Sequence, residues 1–89
     1  MDKDTMYVYD ILPDINQYLI TMYTKISGKE LKVYRYVPML SGNYSIKDVL
    51  QYIHKCAEEL NDWALRHKAE LISDSATAFR MEESYERNN

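Results

Sequence analysis

Three side chains in this sequence are the best candidates for catalysis or metal binding: His54, Cys56 and His67. On a helix, the spacing of His54 and Cys56 points their side chains about 200° apart, so the imidazole cannot activate the thiol. No second Cys and no spaced carboxylate–His set completes a zinc site with the histidines. We therefore predict a protein that is not an enzyme and holds no metal or cofactor. Cys56 should be buried, and His67 should be a hydrogen-bonded residue on the apolar side of a helix.

Length and composition are typical of a small intracellular protein. The 89 residues are 46% hydrophobic and 28% charged, which fits a single domain over residues 1–89. One Cys excludes an intramolecular disulfide and is typical of a reducing compartment. The opening residues lack the apolar run of a signal peptide, no stretch is apolar enough to span a membrane, and two glycines cannot build a phosphate-binding loop. We expect a cytoplasmic location.

The first half of the chain predicts three β-strands. Met6–Tyr9 is rich in strand-forming residues and is soon followed by the turn-prone pair Pro13–Asp14. Residues 17–25 are almost continuously apolar or aromatic, a pattern that also fits a helix beginning at Pro13. The pair Ser27–Gly28 and the strict alternation over residues 30–37 favour a hairpin of 17–25 with 30–37.

The second strand of this hairpin has two unlike sides. Alternation places four residues on one side, namely Leu31, Val33, Arg35 and Val37, and three on the other, namely Lys32, Tyr34 and Tyr36. Pro38 lacks a backbone donor and should end the strand. The chain has nine tyrosines, and tyrosine suits interfaces because a large apolar ring carries a polar tip.

One long amphipathic helix follows. Ser45 predicts its N-cap, with Asp48 near the positive end of the helix. Apolar residues recur at three- and four-residue steps as one stripe, widened by Trp63: Ile46, Val49, Leu50, Ile53, Cys56, Ala57, Leu60, Ala64 and Leu71. Ser73–Ser75 should break the helix, and a shorter acidic C-terminal helix is expected over 76–87, within a tail segment of 74–89. The predicted fold class is α+β, a small antiparallel sheet covered by the long helix.

Carboxylates dominate the second half of the chain, and they define the first candidate surface. Its predicted residues are Asp48, Glu58, Glu59, Asp62, Glu70, Phe79, Glu82, Glu83 and Glu86. The alternative interpretation is a solvated helix face supported by pairs such as Asp62 with Arg66. Residues one turn apart lie about 6 Å apart along a helix, comparable with phosphate spacing in a nucleic-acid strand. Acidic helices can therefore imitate a DNA backbone.

A second candidate surface lies on the hairpin. Lys29, Lys32, Tyr34, Arg35 and Tyr36 could stack on bases and hold phosphates, which predicts a small nucleic-acid-binding regulator as the alternative function. The net charge of −3 disfavours this alternative, because nucleic-acid binders usually carry a basic surface.

In general character the chain resembles the small acidic proteins that bacteriophages encode to disable host nucleases or restriction enzymes, of which Arn-type anti-restriction proteins are one example. Its size, the opening Met6–Asp10 and the carboxylates between residues 58 and 86 carry this resemblance. The resemblance implies a homodimer that occupies the DNA-binding surface of a host defence enzyme in the host cytoplasm. Our first hypothesis is therefore a non-enzymatic protein–protein inhibitor or adaptor that uses its acidic helical surface.

Overall fold

The structure is a computed structural model and describes residues 8–81. In chain order the described elements are β1 (Val8–Asp14), β2 (Gln17–Ile26), β3 (Lys29–Pro38), α1 (Ile46–Arg66), α2 (Lys68–Ser73) and β4 (Ala78–Arg80). The strands form one sheet in the order β1–β2–β3–β4. The first three strands are antiparallel and β4 runs parallel to β3, so the sheet is mixed rather than purely antiparallel. The predicted α+β class, a small sheet with one long helix on it, is confirmed.

The predicted hairpin is formed by β2 and β3. Its turn is Ser27–Gly28, where both residues have positive φ angles, 51° and 85°. Positive φ at both central positions is the type I′ geometry, which matches the natural twist of the two strands, and glycine adopts it at low cost. The strand prediction over 17–25 is confirmed, and the alternative of a helix beginning at Pro13 is wrong.

The first turn lies later in the chain than predicted. Its central residues are Ile15 and Asn16, and Asn16 has a φ of 57°. Pro13 and Asp14 pair with β2 instead of forming the turn. Proline is tolerated there because β1 is an edge strand, where a missing backbone donor breaks no ladder bond. Met6 and Tyr7, where this strand was predicted to begin, lie outside the described residues.

The two faces of the sheet differ as the alternation predicts. The inner face packs against α1, and on β3 it consists of four buried residues: Leu31, Val33, Arg35 and Val37. The outer face carries Lys32, Tyr34 and Tyr36. Directly opposed residues on antiparallel neighbours share a face. Ile20 and Met22 of β2 therefore belong to the inner face, and Leu19 and Tyr23 belong to the outer face.

The helix α1 begins at the predicted cap and lies over β2 and β3. The Ser45 Oγ accepts a hydrogen bond from the backbone N–H of Asp48 at 3.1 Å, which satisfies one of the free amides of the first turn. Its buried residues are Ile53, Cys56, Ala57, Leu60 and Ala64. Together with Leu71 of α2 and the buried residues of β2 and β3, they form the hydrophobic core.

Two members of the predicted apolar stripe are not in the core. Ile46 is 77% exposed and Leu50 is 51% exposed. The Tyr52 hydroxyl reaches the backbone oxygen of Pro38 at the end of β3, so Ile46 lies about 9 Å further along the axis, beyond the sheet. Leu50 lies about 80° around the helix from the fully buried Leu60, at the margin of the contact.

The C-terminal part of the prediction needs correction. The helical segment ends at Ser73 as expected, with a further break at His67 that separates α1 from α2. The helix predicted over 76–87 is wrong where it is described, because Ala78–Arg80 form β4. Two backbone bonds of 2.8 Å hold this strand, one from Lys32 N–H to the Thr77 oxygen and one from Met81 N–H to the Tyr34 oxygen. The open edge of β3 supplies these partners, and this tertiary pairing outweighs local helix preference. Residues 82–89 of the predicted acidic tail lie outside the described residues.

Candidate functional site

Part of the predicted acidic surface lies on the two helices. Asp48, Glu58, Asp62 and Glu70 are exposed, and we call these four residues the helical surface. Asp48 lies in the first turn of α1, where a negative charge interacts favourably with the helix dipole. Glu58 and Asp62 lie one turn apart on the side of α1 that points away from the sheet, and neither forms an ion pair with another described residue.

Glu59 belongs to a different environment from the helical surface. Its Oε1 lies 2.9 Å from the Arg35 guanidinium, which also donates a 3.1 Å hydrogen bond to the backbone oxygen of Cys56. Arg35 is only 7% exposed because it lies on the inner face of β3. The pair removes Glu59 from the acidic site as a free charge. It also removes Arg35 from the proposed nucleic-acid site, because a residue of the inner face cannot meet a ligand beside Tyr34 and Tyr36.

Phe79 and Lys29 serve the packing of β4 rather than either predicted surface. Phe79 is paired with Val33 and packs against the core, so it does not lie on an acidic helix. The Lys29 ammonium donates to the backbone oxygens of Leu71 and Asp74 and lies 5.7 Å from the centre of the Phe79 ring. These contacts connect the start of β3 to the end of α2. Glu82, Glu83 and Glu86, also predicted for the acidic site, lie outside the described residues.

Lys32, Tyr34 and Tyr36 do lie together on the outer face. The rings of Tyr34 and Tyr36 meet edge to face, with their centres 6.3 Å apart. Arg80, which sequence reasoning did not identify, places its guanidinium 4.9 Å from the centre of the Tyr36 ring. A three-residue strand is too short to show periodicity, so the sequence carried no signal for this residue.

The outer face also has an apolar centre and an acidic margin. Leu12 is paired with Leu19, and Leu19 with Tyr36, so the three side chains form one row across the sheet. Tyr23 donates a 3.3 Å hydrogen bond to the Asp10 carboxylate on β1. Desolvation, followed by the charge of Asp10, raises the pKa of Tyr23 above its ordinary value.

Of the three residues considered for catalysis, Cys56 and His67 pack against other parts of the fold, and His54 is exposed on α1. Cys56 is buried, and the Nδ1 atom of His67 lies 2.9 Å from the Trp63 oxygen with its ring against the Trp63 ring. Both expectations are confirmed. Among residues 8–81, no group of three His, Cys, Asp or Glu side chains is arranged to hold a metal ion. No helix in this part of the chain is long and apolar enough to cross a membrane.

Comparison with protein-family models, with curated proteins and with solved structures finds no match to this chain.

Proposed function

We propose that this protein is a non-enzymatic protein–protein inhibitor or adaptor that binds its target through the helical surface. The position of Glu58 and Asp62 carries the proposal. They project from the solvent side of a 21-residue helix whose other side packs on the sheet, and neither forms an ion pair with another described residue. A surface of this kind binds without rearrangement, so little conformational entropy is lost on association.

The charge pattern favours a protein partner with a partly basic surface. Lys55 and Arg66 are exposed on the same side of α1 as Glu58 and Asp62, so two acids lie between two cations along the helix. This pattern complements a protein surface with a basic centre and acidic margins, because each charge then meets an opposite one. In the narrowest form of the proposal, the target is the DNA-binding surface of a nuclease-type or host defence enzyme, on which Glu58 and Asp62 replace two phosphates.

The test compares matched charge reversals. Three purified proteins are used to capture proteins from a bacterial lysate, with and without nuclease treatment. They are the wild type, an α1 variant that combines Glu58→Lys with Asp62→Lys, and a control variant with Glu30→Lys. Glu30 is exposed on the outer face, away from α1. We expect one captured protein to survive nuclease treatment, to be lost with the α1 variant and to be retained with Glu30→Lys.

The narrow form is then tested with the captured target. A DNA mimic should compete with a DNA duplex for that target and should associate faster at low salt, because charges at the margin of an interface mainly change the association rate. A target that binds DNA and this protein together would refute mimicry. Equal capture by the wild type and the α1 variant would refute the helical surface itself.

A second candidate function rests on the Arg80 guanidinium over the Tyr36 ring, on the same face of the sheet as Lys32. Cations next to aromatic rings on an open sheet can bind single-stranded nucleic acid. The burial of Arg35 and the bonds of Lys29 to α2 leave fewer cations for phosphates than the sequence suggested. We expect no micromolar, salt-sensitive binding of a short DNA or RNA in a fluorescence titration, since such binding depends on counterion release by several cations.

A further inference from the structure

The outer face of the sheet has the composition of an interface. No described helix packs on it, since α1 lies on the inner face over β2 and β3. Its centre is apolar and aromatic, with Leu12, Leu19, Tyr23, Tyr34 and Tyr36. Leu12 is 55% exposed and Tyr23 is 44% exposed. Asp10, Lys32 and Arg80 surround this centre with charge. An apolar, tyrosine-rich centre inside a charged margin is the usual anatomy of protein–protein interfaces.

The charges of this face are arranged in a definite order. One row runs straight across the sheet, because Asp10 is paired with Thr21, Thr21 with Tyr34, and Tyr34 with Arg80. The row therefore begins with a carboxylate on the edge strand β1 and ends with a guanidinium on the edge strand β4. A partner that fits it must present a base over β1 and an acid over β4.

We propose that the partner is a second copy of this chain, packed outer face to outer face around a two-fold axis that runs parallel to the strands between β2 and β3. This rotation places β1 of one copy over β4 of the other, and β2 over β3. Asp10 then lies opposite the partner's Arg80, and Leu19 opposite the partner's Tyr36. Because the axis is two-fold, each such contact occurs twice.

The charge row distinguishes this symmetry from the other face-to-face arrangement. A two-fold axis in the plane of the interface but perpendicular to the strands would place β1 over β1 and β4 over β4. With the axis along the charged row, Asp10 would meet the partner's Asp10, and Arg80 the partner's Arg80. With the axis at any other position, Asp10 and Arg80 would still not face each other, because they lie on different strands. Like charges in direct opposition destabilise an interface, so the order of charges selects the axis parallel to the strands.

The dimensions of the molecule fit this assembly. The structure extends over 42 by 35 by 19 Å, and its outer sheet face lies on one broad side, where a standard interface takes roughly 800 Å² from each partner. Packed sheets lie about 10 Å apart with their strands rotated by about 30°. Asp10 and Arg80 lie about 7 Å from the proposed axis, from the spacing of strands in a sheet. At that distance, the 30° rotation between the sheets moves Asp10 and the partner's Arg80 apart by a few ångströms. The long arginine side chain spans this displacement.

Sedimentation equilibrium of the full chain and its charge-reversed variants tests the proposal. We expect the wild type to sediment at twice the chain mass at micromolar concentrations. Asp10→Arg and Arg80→Asp should each weaken self-association at least tenfold, because each creates two like-charge contacts. The double variant, with Asp10→Arg and Arg80→Asp in one chain, restores opposite charges at both contacts. It should recover most of the lost affinity.

Recovery of affinity in the double variant distinguishes a direct contact between Asp10 and Arg80 from a general effect of either substitution. Circular dichroism checks that each variant is folded. Lys55→Asp, a matched reversal on α1, should leave self-association unchanged. A wild type that stays monomeric at several hundred micromolar would overturn the proposal. It would also be overturned if the double variant were as weak as the single ones, or if wild-type binding to a short single-stranded oligonucleotide were lost with Arg80→Asp.

Discussion

Arg35 lies in the apolar layer between the sheet and α1, because side chains alternate along β3 and its position falls on the inner face. Its charge is tolerated because Glu59 and the Cys56 oxygen both accept hydrogen bonds from it. Breaking a buried pair by removing one partner is costly, whereas replacing both partners by apolar groups is often neutral. The cost of losing Glu59 should therefore come mainly from the cation that is left behind.

The pair of Arg35 and Glu59 predicts an order of stabilities among variants. Glu59→Ala should lower the free energy of unfolding by about 1–3 kcal/mol, the cost of a buried hydrogen-bonding group that loses one of its partners. Adding Arg35→Met should recover part of that loss, because the cation is removed and the apolar stem is kept. Urea denaturation measures the free energy of unfolding of the single and the double variant, with Glu58→Ala, at an exposed position, as the control. A double variant less stable than Glu59→Ala alone would contradict the interpretation.

Thr24 offers a stabilising substitution. Its side chain is on the inner face, the residue is 5% exposed, and Oγ1 has no hydrogen-bond partner among the described residues. An unsatisfied buried hydroxyl costs about 1–3 kcal/mol. Thr24→Val keeps the branched shape and should raise the free energy of unfolding by about 1 kcal/mol or more. Thr77→Val, at an exposed position, should change it by less than about 0.5 kcal/mol. A loss of stability with Thr24→Val would show that the hydroxyl is satisfied.

Tyr52 predicts an alkaline limit to stability. Burial, followed by the neighbouring Cys56, raises the pKa of Tyr52 above its ordinary value. The unfolded chain then releases this proton first, near pH 10 for a free phenol. The contribution is therefore complete below about pH 10 and is lost as pH rises above it. Tyr52→Phe should show a smaller fall in unfolding free energy between about pH 9 and 11. Parallel curves for the two proteins would contradict the assignment.

At the scale of the elements, the position of α1 over β2 and β3 decides which apolar residues stabilise the fold. Leu60→Ala should cost about 2–5 kcal/mol, because it leaves a cavity in the core. Ile46→Ala, in the same predicted stripe but beyond the sheet, should cost less than about 0.5 kcal/mol. Equal costs in denaturant titrations would mean that the first turn of α1 is covered in solution.

The same elements show which features of the fold and of the candidate site are predictable from the sequence. Strict alternation in β3, the Ser45 cap and the three- and four-residue spacing of apolar residues predict the hairpin, the helix start and the position of Leu60, because these features depend on local sequence. β4 depends on the unpaired edge of β3, which no pattern within Ala78–Arg80 reveals. The alternation places Arg35 on the same side as Val33, so its assignment to the nucleic-acid surface is wrong, and its pairing with Glu59 depends on the position of the helix. The predicted acidic surface is therefore too large by Glu59 and Phe79, and Arg80 is absent from the predicted sites.

For the whole molecule, the sheet separates two surfaces of different character. The helical surface projects from one side, and the charged row from Asp10 to Arg80 crosses the other. The molecule is 19 Å in its shortest dimension, and the Debye length is about 8 Å at physiological ionic strength. Charges on one side should therefore have little influence on binding at the other. A face-to-face dimer would leave both helical surfaces exposed on its outside, available for two targets.

This separation predicts that the two sets of charge reversals act independently. Glu58→Lys with Asp62→Lys should leave the dissociation constant of self-association within about twofold of wild type, and Asp10→Arg should weaken it equally in both backgrounds. Substitutions more than about 10 Å apart with no shared partner normally add within about 0.5 kcal/mol. Sedimentation equilibrium of the wild type, the two variants and their combination gives four dissociation constants of self-association, which together form a double-mutant cycle. A coupling above about 1 kcal/mol would mean that the surfaces share partners, and that target binding and self-association compete for one interface.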